Sequence, residues 1–216
     1  VFLNRADAVA TVSHTSKRLM LEHRLTKKPI SVIYNAAGTF TDDQANRAPK
    51  VRPRGSQRLV YMGSFMDYKN VEVLIDGMKN LPDYELHLLS RIKPERRAEL
   101  ESRIQAGSGK VVFHNGVSED EYHKQLDQAV ALVTGSRDEG FGIPLIESMS
   151  RGVPVVVSDI EIFREIGGKV ALFFDQESPD DFATQVRKLE SNPAWVERGV
   201  GSRKHAEQFN WDRSAG

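Results

Sequence analysis

The chain has no cysteine, which excludes disulfides, thiolate metal ligands and a thiol nucleophile, and fits a reducing compartment. It has no excess charge: 30 Lys and Arg balance 30 Asp and Glu, so the basic surplus of a typical nucleic-acid binder is missing. No apolar run approaches the roughly 18–20 residues needed to cross a bilayer. The six histidines show no metal-ligand spacing, so solvated or core positions are expected for them and no metal site. Internal repeats and low-complexity tracts are absent too. What remains is 216 residues, 39% hydrophobic and 28% charged, enough for one large domain or one and a half small ones.

The most informative stretch runs from Arg137 through Asp138-Glu139-Gly140-Phe141-Gly142-Ile143-Pro144-Leu145-Ile146-Glu147 to Arg151-Gly152-Val153-Pro154-Val155-Val156-Val157-Ser158. Glu139 lies in a glycine-flanked loop and Glu147 inside a short helix. Pro144 is expected as the first helical residue, where its missing N–H costs nothing. Gly152 should stop the helix, and Val153 to Val157 suits a strand buried on both faces. The backbone around Phe141 to Ile143 then offers free N–H groups at a helix start, a setting that attracts phosphate. Acids beside a phosphate site make sense if they grip the hydroxyls of a ribose or a hexose.

Short apolar runs recur at Val60–Gly63, Leu86–Leu89, Val111–Phe113, Val130–Thr134, Val153–Val157 and Val170–Phe174. Helical patterns separate them: Val71, Leu74, Ile75 and Met78 share one face. Ser118-Glu119-Asp120-Glu121 reads as a capping box ahead of Tyr122, Leu126 and Ala129. Ser178-Pro179 opens another helix, with Phe182, Val186 and Leu189 on one side. This alternation predicts an α/β fold, a Rossmann-like doubly wound parallel sheet covered by helices on both faces. Ligands of such sheets bind beyond the strands' carboxyl ends, where strand order reverses. Residues 63–69, 90–91, 115–118, 135–143 and 158–161 follow strands and are expected to line one crevice. Upstream, Ala8–Val12, Thr15–Leu25 and Ile30–Tyr34 read as one βαβ unit, too small to bury a core alone. Residues 38–57 lose periodicity and read as a linker; 58–193 form the main domain. Residues 194–216 read as a polar terminal helix carrying Trp195, Phe209 and Trp211.

The run Glu139-Gly140-Phe141-Gly142-x-Pro144-x-x-Glu147-x-Met149-x-x-Gly152-x-Pro154-Val155-Val156-x-Ser158 resembles the donor-site signature of retaining glycosyltransferases of family four, which have the GT-B fold. Met62-Gly63 through Lys69-Asn70 is similar to the first loop of that family's carboxyl-terminal domain. Val111 to Ser118 resembles its nucleotide-base loop. Ala8 to Ser13 and Val32 to Asn35 resemble the end of its amino-terminal domain, and Phe209-Asn210-Trp211 the start of the helix crossing back to it. The resemblance implies that residues 1–37 are the last βαβ piece of an amino-terminal acceptor domain. That domain's bulk, including a histidine near the reacting sugar, is then expected upstream, and the fragment alone is expected to be inactive.

The resemblance also implies roles. Glu139 and Lys69 are the expected catalytic residues, Glu139 holding hydroxyls of the transferred sugar and Lys69 neutralising the donor pyrophosphate. Glu147 would accept hydrogen bonds from the ribose diol, for which an ionised carboxylate is suited. As a solvated residue it would mean little, but Leu145, Ile146 and Met149 argue for a mostly buried helix. Gly140, Phe141, Gly142 and Ile143 would approach the phosphates through their backbone, and Val117 would offer backbone groups to the base. The family commonly places an arginine five positions before the lysine, where this chain has Ser64. Arg91 and Arg137, each after a predicted strand, are the candidates to replace it.

The expected reaction is transfer of a hexosyl group from a GDP-, UDP- or ADP-linked sugar, without a metal; the missing D-x-D motif speaks against the metal-dependent GT-A type. Two alternatives stay open: a non-catalytic nucleotide-binding or regulatory module on the same fold, and another GT-B enzyme such as a sugar-nucleotide epimerase. No nucleic-acid partner is expected. A cytoplasmic location is expected. The basic segment Arg47–Arg58 offers a contact with the inner face of a membrane, although a solvated loop explains it better.

Overall fold

The computed structural model describes residues 2–37, 51–53, 55 and 57–215. Most of the expected linker, 38–50 with 54 and 56, lies outside the described residues. The described residues form two parallel sheets. The smaller pairs β1 (Val9–Thr11) with β2 (Ile30–Val32), connected through α1 (His14–Glu22). The larger has six strands in the order β5-β4-β3-β6-β7-β8. They are β3 (Arg58–Tyr61), β4 (Glu85–Leu88), β5 (Lys110–Phe113), β6 (Ala131–Thr134), β7 (Val155–Ser158) and β8 (Leu172–Phe174). The expected doubly wound parallel sheet is therefore present.

Helices alternate with these strands: α2 (Val71–Gly77), α3 (Pro94–Glu101), α4 (Glu119–Asp127), α5 (Ile143–Ser150), α6 (Glu161–Gly167) and α7 (Pro179–Arg187). The sheet outgrows from β3 to β5 on one side and from β6 to β8 on the other, so order reverses between β3 and β6. Right-handed crossovers then force the helices onto opposite faces. On one face Val71, Leu74 and Ile75 of α2, Leu100 of α3 and Phe182 and Val186 of α7 pack with Leu59, Leu86, Val133 and Phe174. On the other, Tyr122 and Leu126 of α4, Ile146 and Met149 of α5 and Phe163 and Ile166 of α6 pack with Val60, Leu132 and Val157. The central strands β6 and β7 are buried at every position, which is why they read as unbroken apolar runs.

Local chemistry sets the helix ends. The Ser118 and Ser178 hydroxyls cap α4 and α7 by accepting from the N–H groups of Glu121 and Asp181, at 3.2 and 3.1 Å. Helix α5 begins one residue earlier than expected, with Ile143 first and Pro144 second, after Gly142 at φ 90°. It ends in a Schellman motif: Gly152 at φ 72° donates to the Met149 carbonyl at 2.9 Å, and Val153 to that of Ser148 at 3.0 Å. The terminal segment comprises α8 (Asn192–Ala206) and α9 (Trp211–Ala215). Trp195 of α8 is fully buried and donates its indole N–H to the Val130 carbonyl at 2.7 Å, so α8 belongs to the six-stranded core. The stretch from Phe209 onward reaches the segment after β2, through the Tyr34 ring at 5.5 Å and a Ser214 hydroxyl bonded to the Tyr34 carbonyl at 2.7 Å. No helix among the described residues is long and apolar enough to cross a membrane.

Candidate functional site at the strand reversal

All six strands are parallel, so the loops after them share one edge, and hydrogen bonds stitch neighbours together along it. The Gly63 N–H donates to the Ser90 hydroxyl at 3.1 Å, and the Ile92 N–H to the Asn115 side-chain carbonyl at 3.2 Å. Between β3 and β6, where the order reverses, the Arg137 N–H donates to the Tyr68 carbonyl at 2.7 Å. The two loops approach so closely that a Cβ on Gly135 would lie 2.7 Å from the Asn70 carbonyl oxygen. Doubly wound sheets open their ligand crevice at this place.

Lys69 ends a single 3-10 turn, Asp67–Lys69, closed by Asn70 in the left-handed region at φ 48°. Asparagine tolerates that conformation better than most residues, and its amide donates to the Gln176 carbonyl at 2.8 Å. The Lys69 ammonium makes an ion pair with Glu139 across the reversal point, with side chains 13% and 17% exposed. Glu139 also accepts from the buried Ser136 hydroxyl at 3.1 Å, and Ser158 of β7 donates to the Ser136 carbonyl. Three adjacent strands thus fix one carboxylate and its cation. The Tyr61 phenol nearby is pushed well up, by burial first and by the Glu139 charge second.

Glu139 and Glu147 bracket the start of α5. Among the described residues, the N–H groups of Gly140, Phe141, Gly142 and Ile143 donate to no protein acceptor. Gly140 is open, with nothing within 4 Å of where a Cβ would sit, while Gly142 needs its positive φ. Phe141 is the anchor: its ring is buried against Tyr34 and Phe209, at 6.0 Å from each. Half-buried Glu147, on the second turn of α5, accepts from the Tyr122 hydroxyl of α4 at 2.9 Å. Burial pushes the Glu147 carboxyl up, and the Tyr122 hydrogen bond offsets part of that rise. Charge of both signs is thus available around these donors, which suits an anion carrying hydroxyl groups.

The other candidates are placed differently. Arg137 turns away to a two-point pair with Glu177, at 2.7 and 3.0 Å, beside a cavity of about 290 Å³ it lines with Asp76 and Arg103. Its charge is compensated there. Arg91 is exposed, and its stem covers Gly116 in the loop after β5, so it sits with the segment containing Val117. Val117 packs against the α4 to α6 face. Ser64 is exposed, and its carbonyl accepts from the Tyr61 hydroxyl at 2.5 Å. Arg96 of α3 also touches this loop: it donates to the Phe65 carbonyl at 3.1 Å and pairs with Glu72 and Glu99. Nothing in the sequence pattern marked Arg96, because it arrives from a helix rather than a strand end. Tyr122 was legible only as a core position. Two histidines are less scattered than their spacing suggests: His87 Nδ1 lies 3.0 Å from His114 Nε2 and His87 Nε2 3.0 Å from Glu85. Burial lowers the pKa of both rings. Among the described residues, no group of three or more such side chains is arranged to hold a metal.

Residues 42–209 match the family described as glycosyl transferases group 1, and the chain belongs to that family. It is 28% identical over 200 residues to the O-antigen chain mannosyltransferase RfbU of Salmonella typhimurium, covering 91% of this chain and 54% of that protein. The O-antigen chain mannosyltransferase B of Escherichia coli is 26% identical over 97% of this chain and 58% of its own length. The chain therefore spans little more than half the length of these curated relatives. Among solved structures, sucrose-phosphate synthase from Thermosynechococcus elongatus superposes with a TM-score of 0.78 at 22% identity, over 99% of this chain and 57% of that one. Anabaena HepE, solved in complex with UDP-glucose, superposes with a TM-score of 0.79 at 18% identity, over 95% and 60%. The fold is that of the GT-B glycosyltransferases.

Proposed function

We propose that this chain is the donor-binding part of a retaining glycosyltransferase of family four, moving a hexosyl group from a nucleoside-diphosphate sugar to an acceptor. One observation carries the reading: where the sheet reverses, a half-buried lysine and two half-buried acids flank a helix start with unpartnered N–H groups. Helix α5 receives the diphosphate on those donors. Lys69 neutralises the diphosphate oxygen as the bond to the anomeric carbon breaks and its electron pair leaves with the diphosphate. A cation fixed there stabilises the transition state more than the ground state. Glu139, already aligned by Ser136, exchanges its Lys69 contact for hydroxyls of the transferred sugar. Glu147 accepts from the ribose diol. The acceptor hydroxyl attacks the face that the diphosphate leaves and passes its proton to the departing diphosphate oxygen, so configuration is retained.

The relatives that are mannosyltransferases support a hexosyl group, and a structural neighbour holding UDP-glucose supports a nucleotide-sugar donor. The greater length of those relatives supports a preceding acceptor-binding half, of which residues 1–37 are the last piece. Titration calorimetry with GDP-, UDP- and ADP-linked hexoses tests the donor site. One donor class should bind the intact chain, and Glu147→Ala should weaken it at least tenfold, about the value of a charge-assisted hydrogen bond. Binding that survives Glu147→Ala unchanged would overturn the assignment.

A further inference from the structure

Tyr122 has no part in the roles assigned so far, yet it holds the acid that the donor site depends on. It lies on the inner face of α4, one turn past the Ser118 cap, and is only 4% exposed. A buried tyrosine needs a partner for its hydroxyl, and the partner here is one oxygen, Oε2, of Glu147 on the neighbouring helix, at 2.9 Å. Phenylalanine would fill the same space without that bond. The hydroxyl therefore reflects something other than packing.

A glutamate has three side-chain torsions, and a lone one on a helix surface samples many rotamers. Fixing Oε2 fixes the plane of the carboxylate and leaves Oε1 and the second lone pair of Oε2 for a ligand. It also favours the charged form in a place where burial opposes it. We propose that Tyr122 is a positioning residue for nucleotide recognition: it sets the orientation and charge of Glu147, so that the ribose 2′- and 3′-hydroxyls meet a preorganised acceptor. This rests on the reading of Glu147 as the ribose-binding acid. The charged groups around the pair are few. Glu119 opposes ionisation of Glu147 from α4, His123 favours it from the same helix, and Arg151 favours it from beyond the end of α5.

The test compares ribose with deoxyribose. GDP, UDP and ADP are titrated calorimetrically against the full chain, each beside its 2′-deoxy analogue, for wild type, Tyr122→Phe, Glu147→Gln and the double variant. Wild type should prefer the ribonucleotide of its donor class, and Glu147→Gln should abolish that preference. Tyr122→Phe should weaken the ribonucleotide roughly five- to tenfold and leave the 2′-deoxy analogue nearly unchanged. The double variant should match Glu147→Gln alone. The acid limb of ribonucleotide affinity should also move to higher pH in Tyr122→Phe, because the carboxylate loses a donor that favours its charge. A purely structural tyrosine would lower the melting temperature and weaken ribo and deoxy forms equally. That result, or an unmoved ratio with an unmoved acid limb, overturns the proposal while Glu147→Gln still abolishes the preference. If Glu147→Gln keeps the preference, the ribose reading of Glu147 fails and Tyr122's role falls with it.

Discussion

The six-stranded sheet and the small two-stranded sheet are held by different physics. In the first, helices α2 and α7 bury their apolar faces completely, and β6 and β7 have no exposed position. In the second, α1 has no buried residue, and Leu19, Leu21 and Leu25 stand exposed. What attaches it is a set of polar bonds beside a small apolar contact of Val12, Tyr34 and Ala37 with the main core. The Glu165 carboxylate of α6 accepts from the N–H groups of His14 and Thr15 at 2.7 and 2.8 Å, from the Thr15 hydroxyl at 2.7 Å and from the Tyr34 hydroxyl at 3.0 Å. An acid at a helix amino end is doubly favoured, by direct bonds and by the helix dipole. Arg18 adds a pair with Glu161, and the rings of Tyr34, Phe141 and Phe209 form a small apolar seam. Extensive apolar burial holds one region, while a few charge-assisted bonds and a small apolar seam hold the other. Phe141, just ahead of α5, belongs to both: its ring meets Tyr34 and is packed in the core beneath α4 to α6.

The strongest test of that contrast is to remove apolar volume from each side. Phe182 of α7 is fully buried, with Phe174 at 5.2 Å and Gly77 against its edge. Phe182→Ala should cost about 3–5 kcal/mol in urea unfolding, through lost transfer energy and a residual cavity. Leu21→Ala, at a side chain 52% exposed, should leave the same midpoint within error. Equal losses would show that the small sheet is packed as tightly as the large one.

This division also explains what was legible in the sequence. Apolar runs such as Val153 to Val157 and capping serines such as Ser118 and Ser178 act locally, so the strands, several helix starts and the Gly152 stop can be read along the chain. Glu139 and Lys69 were legible because strand-end loops of a doubly wound sheet converge at the reversal point, 70 residues apart in sequence yet paired. The Tyr122 contact with Glu147 was not legible, because a buried tyrosine at a helical core position looks like any other apolar residue. Nor was Glu165: its partners lie 131–151 residues away, and nothing local distinguishes it from a solvated helix glutamate. The pairing of Arg137 with Glu177 was not legible either, because Glu177 lies in a different loop.

A smaller effect is expected at Glu165. Burial alone would raise its carboxyl, but the bonds from Thr15, His14 and Tyr34 outweigh burial and hold it below the usual carboxylate range. A carboxyl lowered in this way contributes its full stabilisation above the unfolded pKa of about 4.3, and loses it as pH falls through the lowered folded value. Docking of α1 should therefore be constant at neutral pH and loosen only in acid, below about pH 4. Glu165→Gln should mimic that loosening at pH 7, speeding hydrogen exchange of the His14 and Thr15 amides by an amount equivalent to about 1 kcal/mol, given partial solvent screening. Amides of β6 and β7 should exchange as in wild type. Accelerated exchange in both regions would mean that the small sheet and the core unfold as one unit.

The smallest effect belongs to Arg18, which bridges α1 to Glu161 of α6 and pairs with Glu22 one turn along its own helix. All three side chains are about half exposed, so water and salt screen their attraction, and ordering the long side chains offsets much of what is left. Arg18→Ala should leave the melting temperature unchanged in moderate salt and give at most a slight rise in His14 and Thr15 exchange at low ionic strength. The comparison with Glu165 is then sharp. Both residues carry charge between the same two helices, but the Glu165 carboxylate meets donors whose positions the backbone and Tyr34 already fix, while Arg18 meets flexible side chains in solvent. If Arg18→Ala loosens α1 as much as Glu165→Gln, net attraction between the helices holds the small sheet, rather than the geometry of one carboxylate at a helix start.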